Sequence, residues 1–374
     1  MSSNSKKHIV IDARTRPTGT GSGRYVDRLL EHLQRLDKVN RYTILLEPDD
    51  IWQPTADNFS ARECHFKRFS FNFLDQFSFG FYLKSLKPDL VHFTMTPQEP
   101  MFYFGKRVTT THDLTILRHT RKGRLPAWLH ALRMAGYRLL FWWSLKRASE
   151  VIVPSKFVKD DLIKHYPFTI DKTSLTYEAS EPELEGKMVK PAQVDKPFIL
   201  HVGSPLPHKN INRLAKAFSE ISEKNPKLSL VLTGRKEQYF EKLEENIKQT
   251  NPAAEKIIIP GYVSDQELKW LYKNAECYVW PSLSEGFGLP GLEAMTHGCP
   301  VVSSNTTCMP EVFGEAAHYF DPEDVSDIKE KVEDVLADNK LRKQLIQKGY
   351  SQIKKFSWEK MAKQTLEIYQ KELS

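Results

Sequence analysis

The sequence predicts an α/β protein of two Rossmann-like domains, each an open parallel sheet flanked by helices. Three observations carry that expectation. A chain of 374 residues exceeds the size at which a single core usually stops growing. Each half alternates short apolar runs with longer helical stretches, the grammar of β-α-β units. The glycine-rich and charged motifs fall in loops directly after the apolar runs, where open parallel sheets bind their ligands.

In the N-terminal half the apolar runs His8-Ile-Val-Ile-Asp12, Tyr42-Thr-Ile-Leu-Leu46, Leu90-Val-His-Phe93, Arg107-Val-Thr-Thr-Thr111 and Val151-Ile-Val153 read as strands. Helices are expected between them at 25–36, 74–86, 127–147 and 155–166. In the C-terminal half, strands are expected at 198–202, 228–232, 256–259, 277–280 and 300–303, with helices at 212–222, 239–249, 265–274 and 290–296. The periodicity breaks near Tyr177–Lys196, where Ser180-Glu-Pro-Glu-Leu-Glu-Gly186 intervenes. Domains of 1–180 and 181–356 follow. Phe356-Ser-Trp358 then opens a last amphipathic helix within 357–374.

Composition narrows the class. With 40% hydrophobic and 27% charged residues, and no long like-charge run, the chain can bury cores and is not a disordered polyelectrolyte. No run approaches the roughly 18 apolar residues of a membrane span; the longest candidate, Leu139–Leu145, is hemmed by Arg138 and Lys146. The start, Met-Ser-Ser-Asn-Ser-Lys-Lys, lacks the apolar stretch of a signal peptide. Cys64, Cys277, Cys299 and Cys308 show neither zinc nor disulfide spacing. A cytoplasmic protein is expected.

The net charge of +7 is uneven. Residues 1–185 carry 28 Lys/Arg against 21 Asp/Glu, while 186–374 carry 26 of each. Residues 101–150 alone hold ten basic and two acidic side chains. Such a surplus attracts an anionic partner, a phospholipid surface or a phosphate-bearing acceptor. Nucleic acid is not expected, since no nucleic-acid-binding motif accompanies the surplus. Its densest part is Arg118, Arg121, Lys122 and Arg124, followed by Trp128, Leu129, Leu132 and Met134 on a helical stretch with Arg133 and Arg138. Cations beside aromatic and aliphatic residues suit an anionic bilayer surface. The alternative is a solvated loop followed by a core-facing helix.

The segment richest in chemistry is Trp280-Pro-Ser-Leu-Ser-Glu-Gly-Phe-Gly-Leu-Pro-Gly-Leu-Glu-Ala-Met295. Glu285 and Glu293 bracket a turn containing Gly286, Phe287, Gly288 and Leu289, and Pro290 suits the first helical position. The glycines let the backbone approach a ligand, and the helix start offers free N–H groups to a phosphate. A carboxylate on either side can accept from sugar hydroxyls. That is the layout a sugar nucleotide requires. A second glycine loop, Thr18-Gly-Thr-Gly-Ser-Gly-Arg24, includes Gly21, Ser22 and Gly23. It is neither a P-loop nor a dinucleotide fingerprint, and a plain flexible turn is its alternative reading.

Glu285-x7-Glu293, set in Glu-Gly-Phe-Gly-Leu-Pro, resembles the signature of the retaining GT-B glycosyltransferases of family 4. The resemblance extends from Gly19 to Trp358 and includes Thr111-His112-Asp113, Gly203-Ser-Pro-Leu-Pro-His-Lys-Asn210 and Gly261-Tyr-Val-Ser-Asp265. Within the family, these motifs and Phe356-Ser-Trp358 look most like the bacterial mannosyltransferase-like subgroup. The resemblance implies two domains facing each other across a cleft, the first for the acceptor and the second for the nucleotide sugar. The last helix would cross back onto the first domain. It implies that Glu293 binds the ribose, that Glu285 contacts the donor sugar, and that Lys209 neutralises the diphosphate.

By the same resemblance His112 lies beside the transferred sugar, Gly21-Ser-Gly23 approaches phosphate and acceptor, and the Tyr262–Val263 backbone contacts the base. Ser204 stands where many members carry an arginine, and Arg235 is the candidate for that second cation. GDP-mannose is the expected donor, a UDP-sugar the alternative, and the acceptor a glycan or lipid-linked glycan. No cofactor or metal is expected, because a lysine and a helix start can neutralise a diphosphate without an ion. A reading of another class is a non-catalytic scaffold of the same fold that binds membranes or polyanions.

Overall fold

Buried apolar runs make the sheets. The computed structural model describes residues 6–16, 20–70, 72–120, 126–234 and 238–374. In the first unit, strands β1 (His8–Asp12), β2 (Arg41–Leu46), β3 (Phe59–Glu63), β4 (Leu90–Phe93), β5 (Arg107–Thr110), β6 (Glu150–Val153) and β7 (Thr173–Leu175) form one sheet. Its order is β3-β2-β1-β4-β5-β6-β7, and every pairing is parallel. The second unit joins β8 (Phe198–Val202), β9 (Ser229–Thr233), β10 (Ile257–Gly261), β11 (Tyr278–Trp280), β12 (Val301–Ser304) and β13 (Ala317–Phe320) in the order β10-β9-β8-β11-β12-β13. All of these pairings are parallel too. In both sheets the order reverses between the first and fourth strands, leaving a crevice at their carboxyl ends.

The connecting helices are α1 (Gly21–Leu36), α2 (Phe73–Ser85), α3 (Thr115–Arg118), α4 (Ala127–Arg147) and α5 (Lys156–His165), then α6 (Ile211–Lys224), α7 (Gln238–Thr250), α8 (Asp265–Asn274), α9 (Leu289–Thr296), α10 (Met309–Phe313), α11 (Val325–Ala337), α12 (Asn339–Gln352) and α13 (Trp358–Leu373). The chain divides into one unit of Met1–Glu178 with Ser357–Ser374 and another of Ala179–Phe356. Helix α13 therefore belongs with the first unit and packs on α1, β4 and β6. There Tyr369 bonds His92 through its hydroxyl, 2.5 Å from Nδ1, and the Lys371 ammonium donates to Glu150 at 3.0 Å. None of the helices among the described residues is long and apolar enough to cross a membrane.

Three strands were not expected from the sequence: β3, β7 and β13. Each stands at the edge of its sheet. An edge strand is packed on fewer sides than a central one, so its sequence is shorter or more polar; β3 reads Phe-Ser-Ala-Arg-Glu with only Phe59 buried. Two starts also shift. Thr20 caps α1, its hydroxyl accepting from the Gly23 amide at 3.4 Å, so Gly21, Ser22 and Gly23 form the first helical turn and not a loop before Tyr25. In α9 the cap is Gly288 at φ 94°, which makes Leu289 the first helical residue and moves Pro290 one position in.

Candidate active site

The second unit builds its crevice from the loops after β8 and β11. Asn210 closes the first loop in a left-handed conformation and donates through its amide to the carbonyls of Pro281, 3.1 Å, and Pro322, 2.7 Å. The Leu283 amide donates to the His208 carbonyl at 2.7 Å, so the two loops are stitched along the crevice. The loop after β12 braces them from the other side. Ser304 and Thr306 donate to the Ser282 carbonyl at 2.7 and 3.2 Å, and the Glu285 amide donates to Thr307 Oγ1 at 3.3 Å.

This scaffold brings Lys209 and Glu285 together. The Lys209 ammonium lies 2.6 Å from Glu285 Oε1 and 4.4 Å from the centre of the Trp280 ring. Their side chains are 15% and 13% exposed. The ring face supplies a second, weaker attraction for the cation. His201, stacked on Trp280 at 5.5 Å, donates from Nδ1 to the Val279 carbonyl. Burial and the nearby Lys209 charge, against the pull of that carbonyl, lower its pKa to about 4, so it is neutral. The local charge therefore resides on Lys209 and Glu285.

The glycine turn continues the site. Gly286, Phe287 and Gly288 lead into α9, which begins at Leu289 and carries Gly291 in its first turn. A Cβ on Gly291 would come within 2.3 Å of the Phe313 ring, so only glycine lets α9 lie this close to α10. Glu293 follows in α9, nearly buried, with its Oε2 accepting from the Tyr272 hydroxyl of α8 at 3.3 Å. Glu285 and Glu293 thus flank the α9 start from opposite sides of the turn.

The backbone just after β8 and β9 is tied to the strands beside it, and Gly203 lies against the Trp280 ring. The Gly203 amide donates to the Thr233 carbonyl at 2.9 Å, and the Gly234 amide to the Gly261 carbonyl at 3.2 Å. A Cβ on Gly234 would lie 2.8 Å from the Gly203 carbonyl oxygen. Ser204 follows Gly203, and Tyr262 and Val263 follow Gly261, with Tyr262 exposed. Arg235 lies outside the described residues.

In the first unit His112 follows β5. Its Nδ1 lies 3.1 Å from Glu178 Oε1, and its Nε2 lies 3.0 Å from the Thr94 carbonyl. Burial pulls its pKa down, but the Glu178 bond and charge, helped by the Thr94 carbonyl and Asp113, outweigh that and hold it above the ordinary value. Glu178 sits in no motif, and nothing in the sequence marked it as a partner of His112. Gly21, Ser22 and Gly23 form the start of α1 in the same unit, with Gly21 exposed, Ser22 partly exposed and Gly23 buried. Of the basic patch, Arg118 is bonded to Asp161 and Trp128 is 69% exposed. Arg121, Lys122 and Arg124 lie outside the described residues. Met134 faces the core.

Residues 19–179 match the family described as Glycosyltransferase Family 4, and residues 185–352 match Glycosyl transferases group 1. The chain is 31% identical over 283 residues to O-antigen chain mannosyltransferase B of Escherichia coli, covering 72% of each. It is a family 4 glycosyltransferase. The transferase is also 30% identical to O-antigen chain mannosyltransferase RfbU of Salmonella typhimurium, over 50% of this chain and 51% of that one. It is 34% identical to Serotype-specific mannosyltransferase WbdA of Escherichia coli, where it spans only 21% of the relative. Among solved structures, sucrose-phosphate synthase from Thermosynechococcus elongatus superposes with a TM-score of 0.76 at 19% identity, over 98% of this chain and 99% of that one. WaaG, a glycosyltransferase involved in lipopolysaccharide biosynthesis, gives 0.72 at 16%, over 96% and 99%. HepE of Anabaena, solved with UDP and glucose, gives 0.72 at 15%, over 98% and 99%. The fold is GT-B. Family membership brings a nucleotide-sugar donor and a glycan acceptor.

Proposed function

We propose that this transferase moves a hexose, α-mannose from GDP-mannose, with retention of configuration, to a glycan or lipid-linked acceptor. The observation that carries the reading is the Lys209–Glu285 pair at the crevice of the second sheet, beside the glycine turn that starts α9. Lys209 and the α9 start hold the diphosphate, whose negative charge grows as the glycosidic bond breaks. Glu285 accepts from the donor sugar and Glu293 from the ribose. The backbone at Tyr262–Val263 meets the base, Ser204 in the loop after β8 contacts the donor, and Arg235 is the candidate second cation for the diphosphate. His112 and the Gly21–Gly23 turn serve the sugar and acceptor. The motifs place no obvious carboxylate nucleophile, so the leaving phosphate takes the acceptor proton on the same face. Mannose is favoured by the relatives named as mannosyltransferases.

Calorimetry with GDP and UDP, followed by transfer assays with the matching sugar nucleotides, tests the donor. GDP is expected to bind at least tenfold tighter, about 1.4 kcal/mol. The reverse order would replace GDP-mannose with a UDP-sugar, the reading that HepE, solved with UDP and glucose, favours. Transfer is expected to keep its rate in EDTA, because the cation at the diphosphate is Lys209. A loss restored by Mg²⁺ or Mn²⁺ would move that role to an ion. The enzyme works at the inner face of the plasma membrane, held there reversibly by the cationic face of the first unit. Helix α4 supports this, with Arg133, Arg138, Lys146 and Arg147, no acidic residue, and Trp128, Leu132 and Leu139 exposed.

A further inference from the structure

Four buried or half-buried histidines show how their partners set their protonation. His297 donates from Nδ1 to the Glu293 carbonyl and accepts at Nε2 from the Leu184 amide, so one ring nitrogen is bare. His201 donates from Nδ1 to a carbonyl. Burial, in both cases the largest cause, lowers each to about 4. His92 lies between two hydroxyls, Tyr369 and Thr110, which can donate as well as accept. Burial first, and the charge of His112 second, lower it to about 3. All three are neutral.

His112 differs in the chemistry of its partners. A carboxylate and a main-chain carbonyl accept hydrogen bonds and do not donate them. With Glu178 Oε1 at 3.1 Å and the Thr94 oxygen at 3.0 Å, both ring nitrogens must carry a proton. The side chains are 14% and 5% exposed, so water can replace neither partner cheaply. The other groups facing the ring fit a cation. Asp113 adjoins it in the chain, and Tyr25 of α1 lies edge-on at 5.0 Å with its hydroxyl turned to Thr110. His92, on β4, is neutral. Thr94 is itself fixed, its hydroxyl donating to the Asp12 carbonyl at the end of β1 at 2.6 Å.

We propose that Glu178 is a positioning residue for sugar transfer, keeping His112 as an imidazolium with both N–H groups engaged, so that His112 contributes a fixed cation and not a proton-carrying base. An imidazolium has no lone pair with which to take the acceptor proton. That leaves the proton to the departing phosphate, the assignment made above, and the activity arm of the test rests on that reading. Glu178 is also the last residue of the first unit, where the chain passes into the second. The same carboxylate therefore fixes both the ring and the exit of the chain.

The test has two arms. In protein carrying ¹⁵N-labelled histidine, His112 is assigned by the signal lost in His112→Asn. At pH 7.5 both ring nitrogens are expected at protonated shifts in the wild type, and at neutral-imidazole shifts in Glu178→Gln. Turnover in Glu178→Gln is expected to fall at least tenfold at pH 8 and to recover towards pH 6, while wild-type turnover stays level over that range. Glu178→Asp, which keeps the charge, is expected to retain the protonated shifts and the level profile, and it serves if the Gln variant folds poorly. A neutral His112 in the wild type overturns the proposal, as does a Gln variant whose loss is the same at every pH or absent. If no donor is turned over, the nitrogen shifts still decide the state of His112, and the failure belongs to the transfer reading.

Discussion

The two units share a strand order and differ in how tightly they hold their charges. At the end of β1, Arg14 and Asp12 are fully buried and joined at 2.6 Å, and Arg14 also donates to the Phe66 carbonyl and lies 4.5 Å over the Phe79 ring. His112 uses both of its ring nitrogens. In the second unit, the Lys209 ammonium has three donors, and among the described residues it makes one side-chain hydrogen bond, to Glu285. The first set is over-determined by protein partners. Lys209 and Glu285 retain bonding capacity, and a partly wet pair can exchange one partner for a ligand. The Arg14–Asp12 pair, which holds the fold, is saturated by protein, and His112 is a cation fixed in place, whereas the Lys209–Glu285 pair keeps capacity to bond a ligand directly.

The largest effect should break this contrast if it is wrong. Lys209→Ala is expected to cut turnover by roughly 10²–10³, the usual cost of losing one pre-placed stabiliser of developing charge, with little change in Tm. Glu285→Ala should behave similarly, while Glu293→Ala should chiefly raise the donor KM, since a ribose contact is made before and during transfer. Arg14→Ala should do the opposite. It strands a buried Asp12 and should cost about 3–5 kcal/mol of stability. Thermal unfolding and steady-state kinetics on the same preparations compare them. A Lys209 variant that melts early but turns over normally would erase the distinction.

A smaller effect is expected at Gly291. Its Ala variant puts a methyl into the Phe313 ring, and overpacking of this kind costs about 1–3 kcal/mol. The loss should appear in Tm, with a donor KM raised because α9 shifts with its first turn. An unchanged Tm would mean that Phe313 swings aside.

The next test concerns pH. A raised His112 pKa means that the pair's stabilisation is fully present below the ordinary value of about 6.5 and is lost as pH rises through the raised one. The Tm gap between wild type and Glu178→Gln should therefore narrow from pH 6.5 to pH 9. His92, His201 and His297 run the other way: their lowered pKa values give stability that is full above about 6.5 and lost as pH falls towards 3 to 4. A gap that widens with rising pH would reverse the sign assigned to His112.

The smallest expected effect is at the surface. Arg118 is already bonded to Asp161, so it should add little to lipid binding. Sedimentation with phosphatidylglycerol vesicles at low salt should be weakened more by Trp128→Ser with Leu132→Ser, both exposed on α4, than by Arg118→Ser. A cation near such a surface is worth roughly 1 kcal/mol. No pelleting of the wild type at low salt would leave α4 as a solvated face.

How much of this was legible in the sequence follows from burial. Central strands lie between helices on both faces and spell themselves as continuous apolar runs, so β1, β4, β8 and β11 were found within a residue or so. The edges β3, β7 and β13 were not, because an edge strand has no need of such a run. In α11, Val325, Ile328, Val332 and Val335 recur at helical spacing, a signal present in the chain and not used. The Glu285–Glu293 turn was readable because sequence neighbours build it. Glu178 was invisible for the opposite reason, since its partner is 66 residues away and only the fold joins them.

The order of the chain also sets the order in which the units can be finished. Helix α13 completes the first unit, yet it follows the whole of the second in sequence. On the ribosome, Ala179–Phe356 emerges entire while the first unit still lacks the helix that covers α1 and bonds His92 and Glu150. Domains generally fold as units during synthesis, N-terminal first. Here the later-made unit is complete in the chain before the earlier-made one receives its last helix, so the first unit can finish its packing only after the second has been synthesised.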